Sequence, residues 1–233
     1  SSLDPADFAA TKAFLERTPV DEIYNLSGQS SVATSFVDPR GTFESIATAT
    51  VNVLECLRLL RLPARYYSAG SSEMFGDTVA PADEATPPRP RSPYGVAKAA
   101  AFHAVTHYRE VHGLFAATGI LFNHESPLRP AHFVTQKIVS TAIRIAGGSA
   151  ERLTLGSVDI RRDWGWAPDY VDAMRRILRL EAPDDFVIGT GRSHTLREFV
   201  ERAFTLVGLD AGDHVDFDPG LLRPADIVSS VSD

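Results

Sequence analysis

Cysteine is nearly absent: Cys56 is the single one in 233 residues. No disulfide can therefore close within the chain, and no Cys/His cluster has the spacing of a zinc site. Basic runs are also lacking. The chain carries 23 Lys and Arg against 30 Asp and Glu, a formal net charge of −7, which removes the electrostatic footprint of a nucleic-acid binder. No apolar run reaches membrane-spanning length, and "SSLDPADFAATK" does not read as a secretory signal. A reduced, cytoplasmic setting is the expectation. There are no internal repeats and no low-complexity stretches. What is present is ordinary soluble composition, 44% hydrophobic and 23% charged, in a length that can bury a substantial core as one large domain or two small ones.

Two periodicities alternate along that length. "DEIYNLSG" (21–28) reads as a short buried strand that ends in small residues. In "DPRGTFESIATATVNVLECLRLLRL" the residues Phe43, Ile46, Ala47, Thr50, Val51, Leu54 and Leu57 recur at helical spacing. "ARYYSAG" is strand-like, and "PYGVAKAAAFHAVTHYREVHG" is a helix with Pro93 near its start and Gly113 at its end. "LFAATGILF" reads as a strand, "FVTQKIVSTAIRIAGG" and "DYVDAMRRILRL" as helices, and "DDFVIGTG" as a strand. Thr195 and Glu198 then form a plausible capping box for "LREFVERAFTLVGL". Strand followed by helix, repeated, is the pattern of an α/β fold with a mostly parallel sheet covered on both faces. The pattern loosens after Asn123, where "GSVDIRRDWGWAP" and the tail "DFDPGLLRPADIVSSVSD" read as irregular. We expect a layered sheet domain over 1–122 and, over most of 123–233, a smaller domain at its edge.

Chemistry concentrates in "SAGSSEMFG" (68–76) and "SPYGVAKAA". The first sets Ser71, Ser72 and Glu73 at a strand end, for which a polar turn is the alternative explanation. The second holds Tyr94 and Lys98, four apart and so on one face of a helix. An ammonium beneath a phenol favours phenolate and lowers its pKa, which suits a base working near neutral pH. A hydroxyl such as Ser71, from a neighbouring strand end, would share the hydrogen bond to a substrate oxygen.

With those residues in place, the chain resembles the extended short-chain dehydrogenase/reductase family, and within it the GDP-mannose 4,6-dehydratases. The resemblance runs through "DEIYNL", "SSVATSF", "SSEMFG", "RSPYGVAKA", "ILFNHESP", "FVTQKI", "RDWGWAPDYV", "DFVIGTG" and "LRPADI". It implies a Rossmann-type doubly wound sheet that binds NADP(H), with NAD as the other option. A smaller C-terminal α/β part for a GDP-sugar is also implied, with segments returning to the first domain. It implies as well that Tyr94 is the base for a sugar hydroxyl, that Lys98 also holds the nicotinamide ribose, and that Ser71 orients the same oxygen. Leu26 and Ser27 would lie along the cofactor. Glu73 matches the carboxylate that removes the C5 proton and helps the C6 hydroxyl leave as water, the step that separates elimination from epimerisation. On the substrate side the resemblance assigns Asn123 to the diphosphosugar, Val134 and Lys137 to the nucleotide, Arg162 and Arg223 to the diphosphate, and Asp226 to a ribose hydroxyl. The alternatives are a related GDP-sugar reductase or epimerase, or a non-catalytic GDP-sugar-binding module. A homo-oligomer, dimer or tetramer, is the expected assembly.

Departures from the family pattern are specific. Gln29-Ser30-Ser31-Val32 lacks a histidine the family usually has, Leu128 stands where two successive arginines are usual, Trp166 replaces a histidine, and Asp226 stands where Glu is common. No G-x-x-G-x-x-G or G-x-G-x-x-G loop occurs, although such a loop brings backbone N–H groups to a cofactor pyrophosphate. The expectation is that these residues belong to a longer product lacking on the order of half a domain at its N-terminus. An open sheet edge should then lie beside residues 22–27, and this chain's own loops should hold no pyrophosphate.

Overall fold

A computed structural model describes residues 3–78, 80–221, 225 and 227–233. The chain enters through α1 (Phe8–Arg17), started by Asp7, whose carboxylate accepts the Ala10 N–H at 2.9 Å. β1 (Glu22–Asn25) leads to the short helices α2 (Val32–Val37) and α3 (Pro39–Phe43), a π-turn over Glu44–Thr48, and α4 (Ala49–Leu60). After β2 (Arg65–Ala69) come a 3-10 turn at Ser72–Met74, then α5 (Pro93–His112) and β3 (Ala116–Leu121). β4 (Asn123–Glu125), α6 (Val134–Ala146), β5 (Leu153–Leu155), β6 (Arg161–Trp166) and α7 (Ala167–Ile177) follow. The chain closes with β7 (Phe186–Ile188), β8 (Ser193–Thr195), α8 (Leu196–Leu206), β9 (Val215–Phe217) and β10 (Ser229–Ser230).

The main sheet has the order β1-β2-β3-β7, all parallel. Side chains alternate between the faces of a strand, and β2 shows what this does. Tyr66 packs with Val53, Leu54, Leu57 and Val105 of α4 and α5, while Tyr67 packs on the other face with Tyr170, Met174 and Leu178 of and just beyond α7. Both tyrosines are fully buried, and burial of a large side chain stabilises by roughly 1.5–3 kcal/mol. The doubly covered parallel sheet expected from the alternating pattern is thus present. β1 pairs with β2 and has no second neighbour among the described residues, so the edge beside it is open.

A second core joins α6 to α8. Ile138, Ala142 and Ile145 face Leu196, Val200 and Phe204, with Leu153 and Leu155 of β5 beneath. The capping box is formed: Thr195 Oγ1 accepts the Glu198 N–H at 3.0 Å and Glu198 Oε2 accepts the Thr195 N–H at 2.8 Å.

Three expectations need correction. Residues 161–166, read as irregular, form β6, which pairs with β4, β8 and β10. The tail, read as loop, contains β9 and β10. Strands of two or three residues are too short to show a period, and the charges of "RRDW" hid a strand of which Arg162 and Asp163 are buried. Phe43 and Val51 were placed on the inward stripe, yet both are exposed, and Thr42 is buried instead. The π-turn at 44–48 widens one turn and shifts the inward position by a residue.

Candidate active site

Ser71, Glu73, Tyr94 and Lys98 meet at the carboxyl end of β2. Ser71 caps the 3-10 turn, its Oγ accepting the Glu73 N–H at 3.3 Å, and its hydroxyl lies near enough to the Tyr94 phenol to favour its ionised form. Ser92 begins α5 by accepting the Gly95 N–H at 3.0 Å, and Pro93 occupies the first turn. This places Tyr94 and Lys98 in the first two turns of α5, both buried. Gly95 permits the junction. A Cβ there would lie 2.6 Å from the Glu73 carbonyl oxygen, so the glutamate turn rests directly on the backbone of α5. Lys98 Nζ donates to the Ala69 carbonyl at 2.7 Å and lies 5.7 Å from the centre of the Tyr94 ring.

The electrostatics depart from the expectation. Burial pushes the Tyr94 phenol up to about 12, and the negative Glu73 adds to the rise, while Ser71 and the positive Arg129 oppose it. Burial pulls the Lys98 ammonium down to about 8. In the chain by itself, then, Lys98 does not lower the Tyr94 pKa. Desolvation outweighs the attraction, because both groups lie in one dry pocket and each disfavours its own charged form.

The substrate-side candidates sit on the neighbouring elements. Asn123 is half-buried at the start of β4, opposite Trp164 of β6, and its carbonyl accepts from Tyr170 Oη at 3.4 Å. Val134 opens α6, and Lys137 one turn later donates Nζ to the Thr154 carbonyl at 2.6 Å. Arg162 in β6 is buried, 5% exposed, and its Nη1 donates to the carbonyls of Arg161 and Ile227 at 2.9 and 2.7 Å. It is thus tied to the segment that leads back to Asp226 and Arg223. Those two candidates lie outside the described residues.

Leu26 and Ser27 follow β1 at the carboxyl edge of the sheet, where ligands of open α/β sheets bind. Leu26 is 57% exposed, and Ser27 Oγ donates to Asn25 Oδ1 at 2.6 Å. Gly28, at φ +104°, has its would-be Cβ 2.8 Å from Ile46 Cγ1, and Ile46 packs with Tyr94. The end of β1 and the Tyr94 helix are thus joined through one side chain. This arrangement fits the nicotinamide-ribose end of a dinucleotide: the exposed end of β1 lies beside the end of β2, where Lys98 gives one of its three N–H donors to Ala69. A glycine loop for the pyrophosphate is not among these residues.

Sequence reasoning overlooked three neighbours of this pocket, two within the quoted "ILFNHESP" motif and one beside Leu128. His124 stacks on Tyr170 at 4.7 Å and its Nδ1 lies 2.9 Å from the Phe122 carbonyl. Glu125 is held above the usual carboxylate range by burial. Arg129 pairs with it at 3.4 Å and lies over the Phe133 ring at 3.6 Å. Leu128 beside it is 91% exposed.

Comparison with known proteins agrees with this architecture. The family model described as GDP-mannose 4,6 dehydratase matches residues 1–233. GDP-mannose 4,6 dehydratase 1 of Arabidopsis thaliana is 45% identical over 228 residues, covering 96% of this chain and 63% of that protein. The Homo sapiens GDP-mannose 4,6 dehydratase is 42% identical over 208 residues, covering 88% of this chain and 56% of that protein. The chain therefore spans less than two thirds of the length of these relatives. Among solved structures, RMD from Pseudomonas aeruginosa complexed with NADPH superposes with a TM-score of 0.89 at 22% identity, covering 100% of this chain and 78% of that one. DesIV, a dTDP-glucose 4,6-dehydratase from Streptomyces venezuelae with NAD and TYD bound, gives 0.88 at 21% identity, with 99% and 69% covered. These likenesses show the shared fold. A family model matched along all 233 residues, over a sheet that brings Ser71, Glu73, Tyr94 and Lys98 together, shows that the chain belongs to the GDP-mannose 4,6-dehydratase family.

Proposed function

We propose that the protein is a hydro-lyase that converts GDP-mannose to GDP-4-keto-6-deoxymannose and water. The observation that carries this reading is the position of Glu73, on a turn capped by Ser71 and seated against the helix of Tyr94. Oxidation at a sugar hydroxyl needs Ser71, Tyr94 and Lys98 alone. A carboxylate in the same pocket supplies the further proton transfer that elimination requires.

A nicotinamide dinucleotide, proposed as NADP on the family resemblance, would take the hydride from C4 and return it to C6. Tyr94, beside Ser71, accepts the C4 hydroxyl proton. Glu73 removes the C5 proton, made acidic by the C4 ketone, and passes it to the departing C6 hydroxyl, which leaves as water. A proton delivered back to C5 completes the balance. Lys98, its pKa lowered to about 8 by burial and so still an ammonium near neutral pH, would hold the nicotinamide ribose, and hydroxyl acceptors there would favour its charged form and so help Tyr94 ionise. Arg162 and Arg223 are proposed to serve the diphosphate, since the planar guanidinium makes paired bonds to phosphate oxygens. Asn123, Val134, Lys137 and Asp226 complete the proposed GDP-sugar side. No helix among the described residues is long and apolar enough to cross a membrane. A cytoplasmic homo-oligomer is the proposed working form, on the family resemblance.

Glu73→Gln in the full-length protein tests the assignment. The variant should keep its fold and its GDP affinity, and product formation should fall by at least ~10²-fold, as loss of a general base does. Turnover at the wild-type rate would overturn the reading.

A further inference from the structure

Glu73 and Tyr94 are joined by a strap, described over residues 76–78 and 80–92, that crosses to the end of the chain and among the described residues is fastened there at Ala82 and at Asp77. At Ala82 the fastening is backbone: its N–H donates to the Val231 carbonyl at 2.9 Å, and its carbonyl accepts the Asp233 N–H at 3.0 Å. At Asp77 it is a side chain. Oδ1 accepts the Val228 N–H at 2.6 Å, and Oδ2 pairs with Arg91 Nη1 at 2.6 Å. Arg91 directly precedes Ser92, the residue that caps the Tyr94 helix.

The peptide group that Asp77 holds is held at its other end too. Its N–H belongs to Val228 and its carbonyl to Ile227, and that carbonyl accepts Arg162 Nη1 at 2.7 Å. One amide is thus clamped between an anion from the catalytic strap and a cation from β6. Val228 is 63% exposed and Ile227 only 3%; the Val228 carbonyl accepts the Arg161 N–H at 2.8 Å where pairing with β6 begins, so on the solvent side the Val228 N–H is held by the side chain of Asp77 rather than by packing. In sequence, Asp226 and Arg223 lie within five residues of it.

We propose that Asp77 is a positioning residue. Through the Ile227–Val228 peptide, which also accepts from Arg162, the proposed diphosphate contact, it sets that guanidinium at a fixed place relative to Glu73 and the start of the Tyr94 helix. The identity of the ligand rests on the dehydratase reading, but the clamp does not. Nucleotide affinity depends on the clamp because a loosened peptide leaves the Arg162 guanidinium to be positioned when the ligand binds, at a cost in affinity.

Asp77→Ala, Asp77→Asn and Arg91→Ala in the full-length protein separate the contributions. Asparagine keeps an oxygen acceptor for the Val228 N–H and loses the charge that pairs with Arg91. Hydrogen exchange at residues 227–230 should quicken about tenfold in Asp77→Ala and stay near wild type in Asp77→Asn. GDP affinity by titration calorimetry should weaken about fivefold to tenfold in Asp77→Ala, the scale of one hydrogen bond to a charged group, and recover in Asp77→Asn. KM for the GDP-sugar should rise more than kcat falls, with the melting temperature little changed. Arg91→Ala should leave exchange at 227–230 slow. Exchange in Asp77→Ala at the wild-type rate would overturn the clamp. Faster exchange with unchanged GDP affinity would overturn the positioning role. A wild-type protein that binds no GDP would refute the dehydratase reading, while the exchange measurement still decides the clamp.

Discussion

Lys98→Met should make the protein more stable while removing its activity. The Lys98 ammonium is enclosed at the end of β2, and burial pulls its pKa from 10.5 to about 8. Below about pH 8 the folded state carries a charge it disfavours, at a cost of about 3 kcal/mol. Methionine fills much the same volume without a charge. Against the relief stands the Ala69 carbonyl, which loses the donor now at 2.7 Å and so about 1–2 kcal/mol. The net gain at pH 7 is about 1–2 kcal/mol, or a few degrees in melting temperature for a chain of this size. The sign with pH follows from proton counting. Between about pH 8 and 10.5 the unfolded chain binds more protons at Lys98 than the folded one, so wild-type stability gains from this residue as pH rises through that window. The advantage of the methionine variant should therefore shrink or reverse by pH 10. Urea denaturation of both proteins without cofactor, at pH 7 and pH 10, measures the difference. A variant less stable than wild type at pH 7, or an advantage that does not change between the two pH values, would refute the reasoning.

Asp185 accepts both Arg109 Nη1 and Nη2, at 2.9 and 2.6 Å, together with the Thr118 N–H at 2.9 Å. Because both side chains are largely buried, Asp185→Asn should cost about 3 kcal/mol by leaving an uncompensated guanidinium; a loss under about 1 kcal/mol in urea would contradict this. Arg162→Ala should weaken GDP binding by roughly 1.5–3 kcal/mol and leave cofactor binding nearly unchanged in the same calorimeter. An equal loss of both ligands would assign Arg162 a purely structural role.

The sequence was most legible where local chemistry decides structure. The inward positions Ile46, Ala47, Thr50, Leu54 and Leu57, the capping box at Thr195 and the first turn of the Tyr94 helix follow from spacing and from hydrogen-bonding side chains within a few residues. β6 was hidden because its charges are satisfied from distant parts of the chain. Asp163, fully buried, accepts from Thr190 and Ser232, whose residues follow β7 and β10. Exposed Phe43 was misplaced because a π-turn leaves no mark in hydrophobic spacing. In the site, Tyr94, Lys98, Ser71 and Glu73 were readable as residue types and as a family pattern. Their charge balance was not, since the desolvation of Tyr94 and Lys98 depends on the walls of the pocket. Asp77 carries no motif at all, and its meaning emerges only when the end of the chain is folded against it.

The most direct test of the account uses GDP-mannose carrying deuterium at C4, incubated with the full-length protein in ordinary water and analysed by NMR and mass spectrometry. Elimination with internal return of hydride predicts a 4-keto product that retains the deuterium, moved to C6, and, from unlabelled GDP-mannose in deuterated water, a product that carries solvent deuterium at C5. In Glu73→Gln both products should be almost absent. Deuterium recovered at C4 of an epimer, or no 4-keto product from the wild-type protein, would contradict the assignment of Glu73 and with it the dehydratase reading.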